Sequence, residues 1–418
     1  MKRFISIFSI VALLCIVHPV HAEFKAGLGI SDVTPKTLMP ISGGVGQPAP
    51  SKGYRGKLEV RALVVEQGGT RAAIVTVPYI GFPRVLGDRV RDRVKSVPRD
   101  SIMIGSTHTH SAPEIYGFPD GKGGTWSDLD YIDWACAEVA KAIEEGVKKL
   151  KSASVKIATG EAAEGIAYNY YAPQLYDPRA NIIQFLNKKG KPFITLVNYA
   201  IHPEVLGTKA GYLSPDMVGP LHDRIEELGG GQGIFMNGAQ GGMVTADTRR
   251  GNDGDESNTW EECLRIGNLL AEESLRIVKD VPVQEDPNLS VFSKEIIYPC
   301  DSSLLLAIVK NAAFDYNVSK DNTLSTLTNV VNLGNAQMLT IPGEALPNIG
   351  YYLKKNMHGD HNFLLGLTND AFGYILTKED YMSFKRYEYV SRTSLGEKTG
   401  SILVDESLAF VDEVERPK

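Results

Sequence analysis

The feature that most constrains the fold is a strand, a helix and a second strand in residues 71–106, because the second strand leads directly into two histidines. Residues 71–77 run apolar, residues 83–96 carry apolar side chains at helical spacing, and Ile102-Met103-Ile104 is typical of a short buried strand. Strand–helix–strand is the unit of a parallel sheet. Functional groups in such sheets collect where strands end, and this strand ends at S-T-H-T-H-S-A-P-E, residues 106–114.

The two histidines of this stretch, His108 and His110, can face one cavity, because side chains two apart in an extended chain point the same way. The hydroxyl groups around them can fix the tautomers of the two imidazoles. The alternative is a polar turn with two surface histidines, and an isolated H-x-H motif does not decide between these interpretations.

The first 22 residues predict export. Met1-Lys2-Arg3 precedes an apolar run over residues 4–17, and V-H-A stands immediately before Glu23. This is the pattern of a secretory signal peptide cleaved after Ala22, which predicts a secreted or periplasmic protein. The alternative is an uncleaved anchor, for which the apolar run is short.

Composition and spacing predict one large domain over residues 23–418. The chain of 418 residues is 43% hydrophobic, has a net charge of −6 and contains no basic cluster, which argues against nucleic acid as a partner. Strands alternate with helices, and no repeat or linker marks a boundary. We therefore predict an α/β fold with mixed, largely parallel sheets and helices packed on the sheet faces. The sequence does not predict the oligomeric state.

Two further strands end in groups that bind metals. Residues 193–199 lead into A-I-H-P-E, which contains His202, and residues 337–341 lead into P-G-E, which contains Glu344. Tyr374 follows a turn close behind another strand. Imidazoles with one carboxylate are a preferred ligand set for zinc, and a catalytic site keeps one position for water. Such a site supports amide or ester hydrolysis.

Spacing alone leaves this cluster undecided, because its members come from distant parts of the chain. Taken singly, Glu344 is better interpreted as an exposed carboxylate at a helix start, and Tyr374 as a half-buried core residue. The local zinc motifs H-E-x-x-H and C-x-x-C are absent from the sequence.

Seven motifs taken together resemble one family. They are D-V-T-P, L-E-V-R-A-L-V-V, S-T-H-T-H-S-A-P, A-I-H-P, M-N-G-A-Q-G, I-P-G-E-A and N-D-A-F-G-Y-I-L-T-K-E-D-Y. In this order they resemble the neutral, non-lysosomal ceramidases over nearly the whole mature chain. The resemblance implies one zinc ion per chain and these ligands: His108, His202, Glu344 and Tyr374.

The resemblance also implies an activity. It implies a hydrolase that cleaves the N-acyl bond of ceramide or a related N-acyl compound with metal-activated water. His110 would transfer a proton or stabilise the oxyanion, and Tyr387 is the best match for a tyrosine that polarises the scissile carbonyl. The implied partner is a lipid or other small molecule, with transient contact to a membrane surface.

Two departures from the family pattern leave other functions open. Val244 stands where the family has a serine proposed as nucleophile, and Asn169-Tyr170-Tyr171 lacks the family's arginine. Thr245 is adjacent, but the sequence indicates no base beside it. The alternatives are a metallohydrolase of the same fold that acts on a non-lipid, for example sugar-linked, amide or ester, and an inactive binding protein.

Overall fold

The computed structural model of the protein describes residues 22–250 and 255–418. The predicted signal peptide, residues 1–22, lies outside the described residues except for Ala22. None of the described helices combines the length and the apolar character that crossing a membrane requires.

Strands outnumber helices in the described chain, and several strands follow one another without a helix between them. The strands are β1 (Lys25–Asp32), β2 (Ile41–Ser42), β3 (Gly53–Tyr54), β4 (Glu59–Gln67), β5 (Thr70–Val77), β6 (Ile102–Ser106), β7 (Ala112–Pro113), β8 (Lys151–Ser152), β9 (Ser154–Glu161), β10 (Ala167–Asn169), β11 (Arg179–Leu186), β12 (Pro192–Tyr199), β13 (Tyr212–Leu213), β14 (Gln232–Asn237), β15 (Val244–Ala246), β16 (Arg249–Arg250), β17 (Asp255–Glu256), β18 (Leu289–Pro299), β19 (Thr323–Leu333), β20 (Ala336–Thr340), β21 (Glu344–Ala345), β22 (His361–Leu365) and β23 (Tyr374–Ile375). The helices are α1 (Arg84–Arg93), α2 (Leu129–Lys148), α3 (Gly207–Ala210), α4 (Val218–Glu227), α5 (Trp260–Val278), α6 (Ser303–Lys310), α7 (Pro347–Asn356), α8 (Glu388–Arg392) and α9 (Thr399–Glu413).

Three larger sheets form the framework. Their strand orders are β6-β5-β4-β1-β8, β14-β12-β11-β9 and β18-β19-β20-β22. Helices α1 and α2 pack on the first sheet, α4 and α5 on the second, and α7 and α9 on the third. The prediction of an α/β fold with mixed sheets and helices on their faces is confirmed.

The sheets are less parallel than the sequence suggested. In the part of the chain that the structure describes, each large sheet has one parallel pair: β5 with β6, β12 with β14, and β20 with β22. The other pairs are antiparallel. Three of them, β4 with β5, β11 with β12 and β19 with β20, are joined by short loops, and a short loop can only produce a hairpin.

The three parallel pairs place the candidate site. One strand of each pair, namely β6, β12 or β20, runs towards His108, His202 or Glu344. A buried apolar cluster takes side chains from all three sheets, among them Met103, Leu196 and Phe363. Because the sheets share this core, the ends of the three strands converge.

Ser127 precedes α2 and is of a residue type that favours a helix cap, but it does not cap this helix. The side chain of Asp128 caps α2 by accepting a hydrogen bond from the Tyr131 N–H at 2.9 Å. Ser127 instead accepts from the Gly117 N–H at 2.9 Å. Both residue types cap helices well, so the loop packing around Gly117 decides which of the two does so.

Candidate metal centre

His108 follows β6 in a backbone conformation that residues other than glycine rarely adopt. Its φ is 71°, in the left-handed region, and its N–H donates to the Tyr79 carbonyl at 3.0 Å. The ring Nδ1 contacts the Ile80 carbonyl oxygen. Because a carbonyl only accepts, Nδ1 carries the proton and Nε2 keeps its lone pair. The strained turn directs that lone pair into the site.

His202 follows β12, and a backbone carbonyl at Nδ1 orients its ring as it does in His108. It is fully buried, and both its backbone N–H and its ring Nδ1 contact the Val244 carbonyl oxygen at 2.8 Å. In the neutral imidazole, Nε2 therefore also keeps its lone pair, and this nitrogen lies 3.0 Å from Glu344 Oε2.

Glu344 lies between the two imidazoles. Its Oε2 is 3.0 Å from His202 Nε2 and 3.4 Å from His108 Nε2. The glycine-rich turn after β14 packs against its backbone. A Cβ on Gly241 would lie 2.1 Å from the Glu344 carbonyl oxygen, so only glycine allows this approach.

The charges of the cluster depend on one another. Burial would raise the pKa of Glu344, but the charges and hydrogen bonds of His108 and His202 hold that pKa well below its usual value. At His202, burial lowers the pKa, but the hydrogen bond and charge of Glu344 outweigh burial and raise it. Burial, and then the proximity of His108 and His202, hold the pKa of His110 well below its usual value.

His110 stands between this cluster and a second carboxylate. Its Nε2 is 3.3 Å from His108 Nε2, and its Nδ1 is 3.6 Å from Glu204 Oε2. The other oxygen of Glu204 accepts a hydrogen bond from the Thr245 hydroxyl at 2.5 Å. The structure thus places a carboxylate beside Thr245 where the sequence indicated no base.

Tyr374 lies beside Glu344. The two residues pair in the short parallel ladder of β21 and β23, and both line the same cavity. The Tyr374 hydroxyl donates to Met243 Sδ at 3.0 Å. Burial, and then the charge of Glu344, raise the pKa of Tyr374 well above its usual value.

Tyr387 does not line the cavity that Glu344 and Tyr374 line. Its ring stacks on Phe384 at 4.3 Å and lies 5.5 Å from the Tyr171 ring. Tyr389 lines the cavity instead, with its ring 5.9 Å from the Tyr374 ring. Burial, and then the charge of Glu344, raise the pKa of Tyr389 to about 12.

The cavity above these groups is an apolar slot. Its volume is about 220 Å³, and His108, His110 and Glu344 form part of its wall. Most of the remaining wall is apolar and includes the following side chains: Ile80, Val85, Leu305, Ile308, Leu324, Phe372 and Leu395. A slot of this lining suits an alkyl chain better than a polar ligand.

The donor set fits a metal ion. The ligand atoms of His108, His110 and His202 lie within 4.8 Å of one another, and the Glu344 carboxylate adds a negative oxygen. Backbone carbonyls hold the Nδ1 protons of His108 and His202 outward. Burying two nitrogen lone pairs and a carboxylate around one point costs free energy unless a cation occupies that point.

Comparison with solved structures establishes the fold. Neutral ceramidase from Pseudomonas aeruginosa matches with a TM-score of 0.77 and 14% identity, covering 95% of this chain and 76% of that one. A ceramidase described as complexed with C2 matches with a TM-score of 0.76 and 15% identity, covering 94% and 76%. The fold is that of the neutral ceramidases. No family profile and no curated protein matched the sequence.

Two residues of this ceramidase-fold site were not identified from the sequence. Glu204 lies two residues after His202, as His110 lies two after His108, and this repeated spacing was an available signal. Tyr389 follows Tyr387 in R-Y-E-Y, and only the helical path of the chain distinguishes the two tyrosines.

Proposed function

We propose that the protein is an exported zinc-dependent amidohydrolase that cleaves the N-acyl bond of ceramide or a related N-acyl compound. Residues 23–418 would form the catalytic domain after removal of the signal peptide. The ceramidase-like fold supports a hydrolase of this kind.

The observation that carries this proposal is the position of the cluster in the wall of the apolar slot. An acyl chain in the slot leaves its carbonyl carbon near His108, His110 and Glu344, which line the same cavity. Burial of each methylene group of that chain contributes about 0.8 kcal/mol to binding. The slot thus selects an acyl compound, and the cluster supplies the chemistry.

We assign the zinc ligands to His108, His202 and Glu344, with Tyr374 as the fourth. Zinc, when bound, supplies Lewis acidity at the scissile carbonyl and acidifies a water molecule. The ligand residues would fix the ion's position, because backbone carbonyls orient both imidazoles.

Other side chains transfer the proton and stabilise the negative charge on the carbonyl oxygen. His110 accepts a proton at Nε2 from the attacking water and passes it to the amine nitrogen as the carbon–nitrogen bond breaks. The Tyr389 hydroxyl, which lines the slot beside Tyr374, donates to the carbonyl oxygen as negative charge develops on it. The apolar wall excludes bulk water.

The test compares His202→Ala with His358→Ala on a fluorogenic ceramide. His358 is a matched control, because its Nε2 contacts the exposed Asp412 at 2.7 Å and it does not line the slot. The proposal predicts turnover by the wild type and by His358→Ala, and a loss of about two orders of magnitude or more in His202→Ala. Full turnover by His202→Ala contradicts the proposed site, and no turnover by the wild type contradicts the proposed substrate.

A further inference from the structure

A second cavity lies on the other side of His110. It has a volume of about 350 Å³, and His110 lines both it and the apolar slot. Its wall contains the following polar and aromatic side chains, which we call the tyrosine pocket: Tyr168, Tyr170, Tyr171, Glu204, Lys209 and Asn258. The two cavities therefore meet at the residue assigned to proton transfer.

The tyrosine pocket is more polar than the slot. Both walls contain phenols and carboxylates, but the slot adds aliphatic and aromatic side chains such as Leu305, Ile308 and Phe372, whereas the tyrosine pocket has fewer apolar side chains and adds the amine of Lys209. Covering such polar groups with an alkyl chain would remove their water without replacing its hydrogen bonds, which is unfavourable.

An amide extends in two directions from its carbonyl carbon. If the acyl chain occupies the slot, the amine half leaves past His110 and enters the tyrosine pocket. The long alkyl chain of a sphingoid base would then lie against the polar wall. A compact amine with several hydroxyl groups would replace the displaced water with hydrogen bonds.

The aromatic groups of the tyrosine pocket further limit the class of compound that can bind there. Tyr170 is 52% exposed, and its ring meets that of Tyr171 edge-on at 5.5 Å. Exposed phenol rings offer an apolar face beside a polar hydroxyl, which matches a sugar ring with its C–H face and its hydroxyl rim. Glu204, with its side chain 24% exposed, can accept hydrogen bonds from that rim.

We propose that the tyrosine pocket binds the amine half of the substrate and that this half is a small hydroxylated amine of the amino-sugar kind. This inference rests on the proposed amide hydrolysis. It makes the preferred substrate an N-acyl amino sugar with a medium or long acyl chain, in place of a ceramide.

The test uses three amides with the same dodecanoyl chain. Their amine halves are glucosamine, cyclohexylamine, which has a ring of equal size without hydroxyl groups, and sphingosine. Binding of each intact amide is measured by calorimetry on the protein freed of metal, which leaves the amide uncleaved, and hydrolysis is measured separately on the zinc-loaded protein. We expect the glucosamine amide to bind at least about tenfold more tightly than the cyclohexyl amide, and to be hydrolysed with a higher kcat/KM than the ceramide.

Tyr170→Ala is the matched variant, with Tyr352→Ala as its control. Tyr352 is 53% exposed and lines neither cavity. We expect Tyr170→Ala to reduce the preference for glucosamine over cyclohexylamine about tenfold and Tyr352→Ala to leave it unchanged. Equal binding of the two ring amides, or preferred cleavage of the ceramide, overturns the inference alone. Hydrolysis of none of the three amides contradicts the proposed function, and calorimetry still decides the inference.

Discussion

Glu344 and Tyr374 are direct partners in a two-stranded parallel ladder, closed by a hydrogen bond from the Glu344 N–H to the Gly373 carbonyl at 2.8 Å. The backbone therefore fixes two of the four proposed ligands relative to each other. The third large sheet ends just before this ladder, so its position sets that of both side chains.

We predict that Glu344→Gln lowers zinc content to below about a tenth of the wild-type value. The substitution keeps the shape of the side chain but removes the charge that offsets Zn²⁺. Elemental analysis after gel filtration measures the result. Glu379→Gln, at a carboxylate that is 71% exposed, is the control and should keep full metal. Equal zinc content in the two variants would show that Glu344 is not a zinc ligand.

Asp370 is predicted to make the protein less stable as the pH rises. Burial raises the pKa of Asp370 from 3.8 to about 7, despite hydrogen bonds from the N–H groups of Ala371 and Arg84. The folded state thus keeps this proton up to about pH 7, whereas the unfolded chain releases it near pH 4. The free energy of unfolding should therefore fall between these pH values, by roughly 2–4 kcal/mol.

The matched variant for this effect is Asp370→Asn, which accepts the same hydrogen bonds but has no proton to lose. Urea unfolding of both proteins at pH 5 and pH 8 gives the comparison. We expect the decrease with pH to be smaller in Asp370→Asn by the same 2–4 kcal/mol. An identical decrease in the two proteins would show that Asp370 ionises freely in the folded state.

Substitutions at His110 and Thr245 test the chemical step. His110→Ala should lose about two or more orders of magnitude in kcat, as general acid–base groups typically do. Thr245→Val should keep turnover, because attack by water needs no hydroxyl nucleophile. Because the Glu204 carboxylate lies beside the Thr245 hydroxyl and is placed to act as its base, Thr245→Val tests directly whether Thr245 is the nucleophile. An acyl group trapped on Thr245 by rapid quench and mass spectrometry would overturn the water mechanism.

Gly241→Ala should weaken both metal binding and stability. Its Cβ would lie 2.1 Å from the Glu344 carbonyl oxygen, so the backbone that carries Glu344 must move. Gly69→Ala is the control, because its φ of 89° imposes strain in open space. We expect Gly69→Ala to cost about 1–2 kcal/mol with full metal content, measured by urea unfolding and elemental analysis. Normal metal content in Gly241→Ala would contradict the packing argument.

Local patterns predicted much of the framework. Helix α1 follows from helical spacing, and strand β6 follows from its short apolar run. Helix α6 was not predicted, because S-L-L-L-A-I-V-K has no polar face to reveal a period. Leu305, Ile308 and Val309 line the slot, and only the assembled fold shows this.

Only part of the site was predicted, because a sequence shows where strands end but not how distant segments pack. His108, His202 and Glu344 each follow a strand, which a sequence reveals, whereas the approach of Glu204 to Thr245 depends on packing between segments 41 residues apart. Tyr387 and Tyr389 lie at the start of α8. Two residues correspond to about 200° of helical rotation, so the side chains take opposite directions and only Tyr389 reaches the slot.

An anomalous diffraction map of the wild-type protein, recorded at the zinc absorption edge from crystals grown with zinc, tests the proposed metal centre most directly. We predict one peak about 2.0–2.2 Å from His108 Nε2, His202 Nε2 and the Glu344 carboxylate. A map with no peak at this point, or with zinc bound only elsewhere on the chain, would contradict it.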